Sequence, residues 1–527
     1  MKVNYSLYLV TDNTDAILRG RDLVQIVKEA VEGGVTIVQL RDKTSETAEL
    51  IRIAKALHKV TKAHDIPLLI NDRVDVALAA GVDGVHIGQD DIDLASARKI
   101  LGKDAIIGVT ANSVEEAKIA AEGGADYLGL GTVYATPTKQ NSKSIIGPSG
   151  VRHILSELHA ANLGHVQTVC IGGINASNAQ RVLYQAASPV KSLDGIAVVS
   201  AIIGAEDPKK ASADLLSSIH SSPPFAHAQE EPPIYFDHPM RFEYGDLQFL
   251  LSDYLKELNE TAPLCHNMTN QVVQNFAANV ALCVGASPIM SGNGLEAADL
   301  AKLGGSLVIN MGTVTPEGLS NYLQALRAYN AVGGPVVFDP VGAGATEQRR
   351  NAVKTLMNGG YIDLIKGNEG EIKTVAGVAG AQQRGVDSGP SAMTLEDKAE
   401  LVQQLAKRER NVVLMTGTVD VLSDGERTFA IHNGHEFLGK ITGSGCTLGT
   451  TIASFLAVSR GQKFSAALTA ILTYEIAAER AAERPDVKGP GTFVPAFLDE
   501  LWLCAQEMIS RNWKWVERAK VRDLTRT

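Results

Sequence analysis

The sequence predicts an α/β protein in two parts, a (β/α)8 barrel of the TIM type followed by a layered α/β/α domain. Three observations predict it. Short apolar runs alternate with helix-period stretches eight times in about 215 residues, a count that a barrel needs and a doubly wound sheet seldom reaches. Six of the 19 prolines then gather between Pro208 and Pro239. Beyond them the alternation of strands and helices resumes without eight even repeats.

The barrel elements follow in order. Strands are expected at Leu7–Thr11, Ile37–Leu40, Leu68–Asn71, Gly84–Ile87, Ile106–Val109, Tyr127–Leu130, Val169–Ile171 and Ile196–Val199, with helices between them such as Asp22–Glu32, Ala48–His64 and Val114–Glu122. The paired prolines Pro223-Pro224 and Pro232-Pro233 cannot donate to a ladder and have little around them to bury. The domains are therefore drawn at 1–220 and 241–527, with a linker over 221–240. An amphipathic helix at Asp246–Asn259 opens the second domain, carrying Leu247, Leu250, Leu251, Tyr254, Leu255 and Leu258 on one face. Its strands include Leu307–Met311, Val336–Asp339, Leu364–Lys366, Val412–Met415 and Val421–Leu422.

Composition narrows the class. With 527 residues, 45% of them hydrophobic, the chain can bury two real cores, which excludes intrinsic disorder. Acidic residues outnumber basic ones, 59 to 49, which argues against a nucleic-acid partner. The basic, Trp-bearing tail Arg511–Thr527 is read as a solvated final helix. Five cysteines without a CxxC pair suit a reducing compartment and give no zinc signature. The start, Met1–Asp12, turns polar too early for a signal peptide, and Ile441–Ser459 holds too many Gly, Ser and Thr for a membrane span. A soluble, cytoplasmic protein without a membrane partner is expected.

Barrels carry their chemistry at the C-terminal strand ends. Strand two ends in Gln39-Leu40-Arg41-Asp42-Lys43, where strand alternation puts Gln39, Arg41 and Lys43 on one face. An amide with two cations suits a diphosphate. Strand three ends in Asn71-Asp72-Arg73, and strand four runs into Gln89-Asp90-Asp91. Asp72 and Asp91 could share a magnesium ion with phosphate oxygens. Helix capping is the alternative duty for both, with Asp93 competing for the second cap. Strand six leads into a loop with Thr136, Thr138 and Lys139 around Pro137. Strands seven and eight end in Gly172-Gly173 and Val199-Ser200, the usual place of a barrel phosphate site.

Together, the motifs Q-L-R-D-K, I-N-D-R, G-V-H-I-G-Q-D-D, T-P-T-K and I-G-G-I resemble thiamine phosphate synthase over nearly all of residues 5–205. The resemblance implies union of hydroxymethylpyrimidine diphosphate with a thiazole phosphate, releasing pyrophosphate. It implies Gln39, Arg41, Lys43, Asn71, Thr110 and Lys139 as contacts to the pyrimidine diphosphate. Thr136, Thr138, Gly173, Val199 and Ser200 would contact the thiazole phosphate, and Asp72 and Asp91 would bind magnesium. Thr110 stands where the family commonly has Ser, which keeps the hydroxyl.

The second domain offers Thr442-Gly443-Ser444-Gly445-Cys446-Thr447 at the mouth of an uncharged helix. Backbone N–H groups there point outward, where the helix dipole favours a transferring phosphate. No Gly-Lys-Ser/Thr follows, so this is not a Walker loop. Asp339-Pro340-Val341-Gly342-Ala343-Gly344, Lys366-Gly367-Asn368-Glu369-Gly370-Glu371 and Thr416-Gly417 each follow an apolar strand. With His266-Asn267-Met268-Thr269-Asn270 and Ser287-Pro288-Ile289-Met290, these motifs resemble hydroxyethylthiazole kinase, of the ribokinase-like fold, over about residues 245–510. The resemblance implies Met290 and Gly443 as thiazole contacts, and Arg349 and Thr416 as ATP contacts. Asn368 and Glu371 would lie near the magnesium and phosphates, with helix capping as the alternative for Glu371. Cys446 stands where most ribokinase-like enzymes have an aspartate base. Its place near a helix N-terminus predicts a lowered thiol pKa, which makes it a catalytic candidate that could accept a proton or merely sit beside the hydroxyl, with a small buried packing residue as the alternative.

The two resemblances support each other chemically, because the second domain would make the thiazole phosphate that the first consumes. They imply a bifunctional thiamine-biosynthesis enzyme that uses ATP and magnesium. A pathway sensor or scaffold with one silent domain is the rival reading. The kinase family's trimers imply a homo-oligomer.

Overall fold

The computed structural model describes residues 3–136, 145–226, 254–378, 393–510 and 512–525. They divide into two compact units, Met1–Pro223 and Pro224–Thr527. Most of the proline-rich stretch, like residues 246–253 of the expected amphipathic helix, lies outside the described residues. Phe225 belongs to the second unit, stacked on Tyr361 with ring centroids 4.7 Å apart.

In the first unit, eight parallel strands close into a barrel: β1 (Leu7–Val10), β2 (Ile37–Leu40), β3 (Leu68–Asn71), β4 (Gly84–Ile87), β5 (Ile106–Ala111), β6 (Tyr127–Gly131), β7 (Gln167–Ile171) and β8 (Gly195–Val198). β8 returns to pair with β1, Leu7 opposite Ile196, so no edge is left. The alternation of side chains divides the core. Leu7, Leu9, Val38, Leu40, Leu68 and Ile70 pack under the surrounding helices. Tyr8, Val10, Ile37, Leu69, Tyr127 and Val169 fill the barrel itself. Gly108 on β5 makes room there: a β-carbon at that position would meet the Tyr127 ring at 2.0 Å.

Among the described residues, the second unit is built on one sheet of nine strands. They are β9 (Leu264–Met268), β10 (Ser287–Ile289), β11 (Ser306–Asn310), β12 (Val336–Asp339), β13 (Leu364–Asn368), β14 (Val412–Thr416), β15 (Asp420–Ser423), β16 (Thr428–Ile431) and β17 (Val521–Asp523). Their spatial order is β10-β9-β11-β12-β13-β14-β15-β16-β17. The first six run parallel and the last three pair antiparallel. The chain steps from β9 to one side and then to the other, so a topological switch point lies between β9 and β11. Separate apolar clusters cover the two faces. One is built on helices Ser444–Val458, Lys463–Glu483 and Pro490–Ile509, the other on helices such as Pro316–Val332 and Leu395–Glu409. Leu448 to Leu456 of the first helix are all buried, and no described helix is long and apolar enough to cross a membrane.

The tail corrects one expectation. Instead of a solvated helix it forms a 3-10 turn, Trp513–Arg518, and then β17, which pairs with β16. Trp515 and Val516, each 2% exposed, and Leu524 join the core, because sheet pairing and apolar anchors outweigh the basic character of the tail.

Candidate active sites

The barrel carries a cavity of about 440 Å³ at the C-terminal ends of its strands. Gln39, Arg41, Asn71, Thr110, Thr136, Gly173, Val199 and Ser200 line it, eight of the residues singled out from sequence. Thr138 and Lys139 lie outside the described residues. Gln39 faces the barrel interior and donates from Nε2 to the Tyr8 hydroxyl at 2.9 Å. Tyr8 and Tyr127 share a hydrogen bond of 2.7 Å, His86 Nδ1 bonds the Tyr127 hydroxyl at 2.7 Å, and His86 Nε2 bonds Thr110 Oγ1 at 2.8 Å. This relay ties five strands together beneath the cavity. Burial drives both phenols up, so they stay protonated donors, and each buried hydroxyl would cost about 1–3 kcal/mol if left unpaired. Sequence reasoning missed His86, Tyr8 and Tyr127, since a tyrosine in an apolar strand reads as packing.

Strand alternation holds for Gln39 and Arg41 but does not reach Lys43. The chain leaves β2 after Leu40, and Asp42 Oδ1 accepts from the amides of Thr44 and Ser45, each at 2.9 Å. Lys43 instead swings to Asp72 and pairs with it. Arg41 is steadied by Asp12, 3.8 Å from Nη1, and by its own amide on Thr11 Oγ1 at 3.0 Å. Neither Asp72 nor Asp91 caps a helix. Asp93 caps the helix beginning at Leu94, and Arg73 occupies the cap position of the helix beginning at Val74. Asp91 Oδ2 takes the Gly88 amide at 2.7 Å, while burial, and then the nearby Asp72, raise its pKa. Two neighbouring carboxyls, oxygen donors only, fit a hard divalent cation. At the end of β7, Gly172 and Gly173 adopt φ of +115° and +66°, and Asn178 Nδ2 holds the turn by donating to Gly173 O at 3.0 Å.

In the second unit, polar groups converge where β9, β11, β12 and β13 end. Asn270 Nδ2 donates to Asn310 Oδ1 at 3.1 Å, and Asn310 Nδ2 to Asp339 Oδ2 at 2.8 Å. The other Asp339 oxygen pairs with Lys366 Nζ at 3.2 Å, in an ion pair with side-chain exposures of 4% and 0%. Burial alone would lower the Lys366 pKa, but Asp339 beside it outweighs that and keeps the ammonium charged. Asn270 also reaches Cys446 Sγ, 3.5 Å away. Gly443, at φ +90°, precedes the helix Ser444–Val458, and a β-carbon there would strike Val273 at 2.6 Å. Of these residues, Asn270, Asn310, Asp339 and Lys366 were not singled out from sequence, although their motifs were visible.

Glu371 takes the capping duty and more. Asn368 and Glu371 form a reciprocal capping box, and Glu371 Oε1 accepts the Gly342 amide at 2.8 Å. Burial, and then Asp339, push its carboxyl up to about 7. Thr416 ends β14 directly opposite Asn368. Met290 follows the edge strand β10 and is half-buried. Arg349 spends its guanidinium on backbone carbonyls, those of Met311 (2.8 Å), Val341 (2.7 Å) and Gly312 (3.0 Å). It clamps two site loops, whereas Lys366 presents its charge among the site residues.

Cys446 corrects a second expectation. Its thiol is pushed up to about 11, first by burial and then by Asp339, so the helix terminus does not make a thiolate at neutral pH. We therefore expect Cys446→Ser to keep kinase turnover within about threefold of wild type, with pH profiles of the two enzymes superimposable between about pH 7 and 9. A rate that climbs with pH in the wild type and loses that slope in the serine variant would restore the thiolate base.

Two family models match the chain in series, thiamine monophosphate synthase over residues 7–202 and the hydroxyethylthiazole kinase family over residues 255–507. A probable thiamine biosynthetic bifunctional enzyme of Schizosaccharomyces pombe is 45% identical, with 99% of each chain covered. The thiamine biosynthetic bifunctional enzyme of Saccharomyces cerevisiae is 35% identical, with 97% of each covered. A hydroxyethylthiazole kinase of Haemophilus influenzae is 45% identical over 50% of this chain and 97% of its own.

Proposed function

Since the chain belongs to the bifunctional thiamine-biosynthetic enzymes, with a thiamine phosphate synthase unit ahead of a hydroxyethylthiazole kinase unit, we propose how its own residues divide the work. The observation that carries the reading is the placing of charge. Each unit gathers cations and carboxylates at the C-terminal strand ends.

In the barrel, Arg41 and Lys43 neutralise the diphosphate of hydroxymethylpyrimidine diphosphate as its bond to the methylene carbon breaks. Gln39, fixed by Tyr8, and Thr110, fixed by His86, orient the pyrimidine. Amides around Gly173 and Ser200 hold the thiazole phosphate, so that the thiazole nitrogen faces the methylene carbon and forms the new bond. Asp72 and Asp91 hold magnesium, which supplies further charge neutralisation to phosphate oxygens when bound. No protein nucleophile is needed, because the leaving group departs with its electron pair.

The kinase unit uses ATP as its phosphate donor. Lys366 and the amides at Gly443–Gly445 face the transferring phosphate, and Asn368 and Glu371 hold its magnesium. The donor set is all oxygen, and the like-charge pressure between Asp339 and Glu371 suits a cation beside them. Met290 and Gly443 bound the thiazole, and Thr416 the nucleotide. Phosphoryl transfer depends on positioning and charge neutralisation, so a neutral Cys446 is compatible with turnover.

The decisive experiment supplies hydroxyethylthiazole, ATP, magnesium and the pyrimidine diphosphate to the full chain and looks for thiamine phosphate. Residues 1–223 and 224–527 expressed apart should give synthase and kinase activity respectively, since each has its own core. Absence of thiamine phosphate from the full chain, with both substrates bound, would favour a silent domain.

A further inference from the structure

Two buried carboxyls lie behind the Thr416–Gly417 turn, outside the residues assigned above. Asp420 begins β15 and is 5% exposed; Glu475, on the helix Lys463–Glu483, is 6% exposed. Asp420 Oδ1 accepts the Gly417 amide at 2.8 Å, which ties the turn to the first residue of the next strand. The Glu475 carboxyl meets that of Asp420 within hydrogen-bonding reach, and its Oε2 is buried with no donor to accept from. Two acceptors can share a contact only through a proton.

The surroundings favour keeping that proton. Glu479, one turn further along the same helix, adds a third carboxylate, and its own partners are Lys520 at 2.9 Å, Asn433 at 3.1 Å and the Gly434 amide at 3.2 Å. Lys366, on β13, is the cation felt by Asp420, but Asp339 holds it. Burial raises both members of the pair, with Glu475 further raised by Asp420. Glu475 is therefore the donor, and Asp420 the acceptor that also serves Gly417.

We propose that Asp420 and Glu475 are positioning residues for the nucleotide: protonated Glu475 braces Asp420, and Asp420 holds the Thr416–Gly417 turn in the shape that receives ATP. This rests on the reading of Thr416 as an ATP contact. The two carboxyls touch neither substrate nor the transferring phosphate, so they act on ATP affinity and leave the chemical step alone.

The test is steady-state kinase kinetics on the full chain, with synthase turnover and a melting curve as folding controls. Asp420→Ala should raise the ATP KM about tenfold, roughly 1.4 kcal/mol, with kcat within about twofold. Glu475→Leu, which cannot donate, should do the same. Glu475→Gln, which can, should keep the ATP KM and hold it level through the alkaline range in which the wild-type KM rises as the shared proton leaves. A normal ATP KM in Asp420→Ala, or equal effects of Leu and Gln at position 475, would overturn the proposal; should Asp420→Ala not fold, the Leu/Gln pair decides alone. Thr416→Val separates the two readings. A raised ATP KM there with normal Asp420 and Glu475 variants leaves the nucleotide turn standing and removes the brace. A normal KM in Thr416→Val removes both.

Discussion

Arg41→Ala lowers synthase turnover by about two orders of magnitude or more and leaves kinase turnover unchanged. The size follows from what the residue does. A departing diphosphate gathers charge as its bond breaks, and a guanidinium that meets it in a water-poor cavity acts mostly on the transition state, at about 2.7 kcal/mol per hundredfold. Arg41 is well placed for that. It lines the cavity, and Asp12 and Thr11 hold it from behind, so little ordering remains when substrate binds. Asp12, 5% exposed, still accepts from the Thr14 amide at 2.9 Å when the guanidinium is removed. The measurement is pyrophosphate release with thiazole phosphate supplied, beside ATP consumption with hydroxyethylthiazole. Loss of both activities would show that Arg41 serves folding; wild-type synthase turnover would remove it from the diphosphate site.

Lys366→Met has the converse signature: kinase turnover falls by about two to three orders of magnitude and synthase activity persists. The ammonium is the buried cation on the sheet side of the phosphate-facing helix, and a β-carbon on Gly445 would lie 3.4 Å from it. Methionine keeps the length and apolar stem while deleting the charge. The substitution also leaves Asp339 without its counter-ion, an arrangement that can cost about 3–5 kcal/mol when the charge remains. Asp339 is already raised by burial, so it escapes that cost by taking up a proton. The double variant Lys366→Met, Asp339→Asn removes the stranded charge altogether. It should regain the wild-type melting temperature without regaining kinase turnover. Recovery of turnover in the double variant would mean that Lys366 serves only to neutralise Asp339.

The barrel was legible almost strand by strand, because each strand is a short apolar run with a helix-period stretch after it. Five strands of the second unit could be read in the same way. The other four could not, for separate reasons. β9 carries Cys265, His266 and Asn267 in succession and lacks an apolar run, β10 is a three-residue edge, β16 is the return strand of an antiparallel hairpin with no helix before it, and β17 lies in a basic tail whose partner is about 90 residues away in sequence.

Among the site residues, Gln39, Arg41, Asn71, Thr110, Thr136, Gly173, Val199 and Ser200 could be found from strand ends and motifs, and they meet in one cavity. Asp72, Asp91, Asn368, Glu371, Gly443 and Cys446 were visible in the same way. What motifs cannot convey is who spends which hydrogen bond on whom. Arg349 is an expected ATP contact in sequence, and its three bonds to backbone carbonyls appear only in space, while Lys366 was one letter of a motif and holds the buried charge.

The sequence by itself therefore determined the two folds, their order, the families and most of the residues at the strand ends, since periodicity and motif spacing are local properties of the chain. Only the tertiary structure decided the state of those residues. Burial and charges brought in from distant strands set whether Cys446 is a thiol, whether Glu475 keeps a proton and which cation answers Asp339, and those distances exist only once β9, β11, β12, β13 and the helices above them have packed.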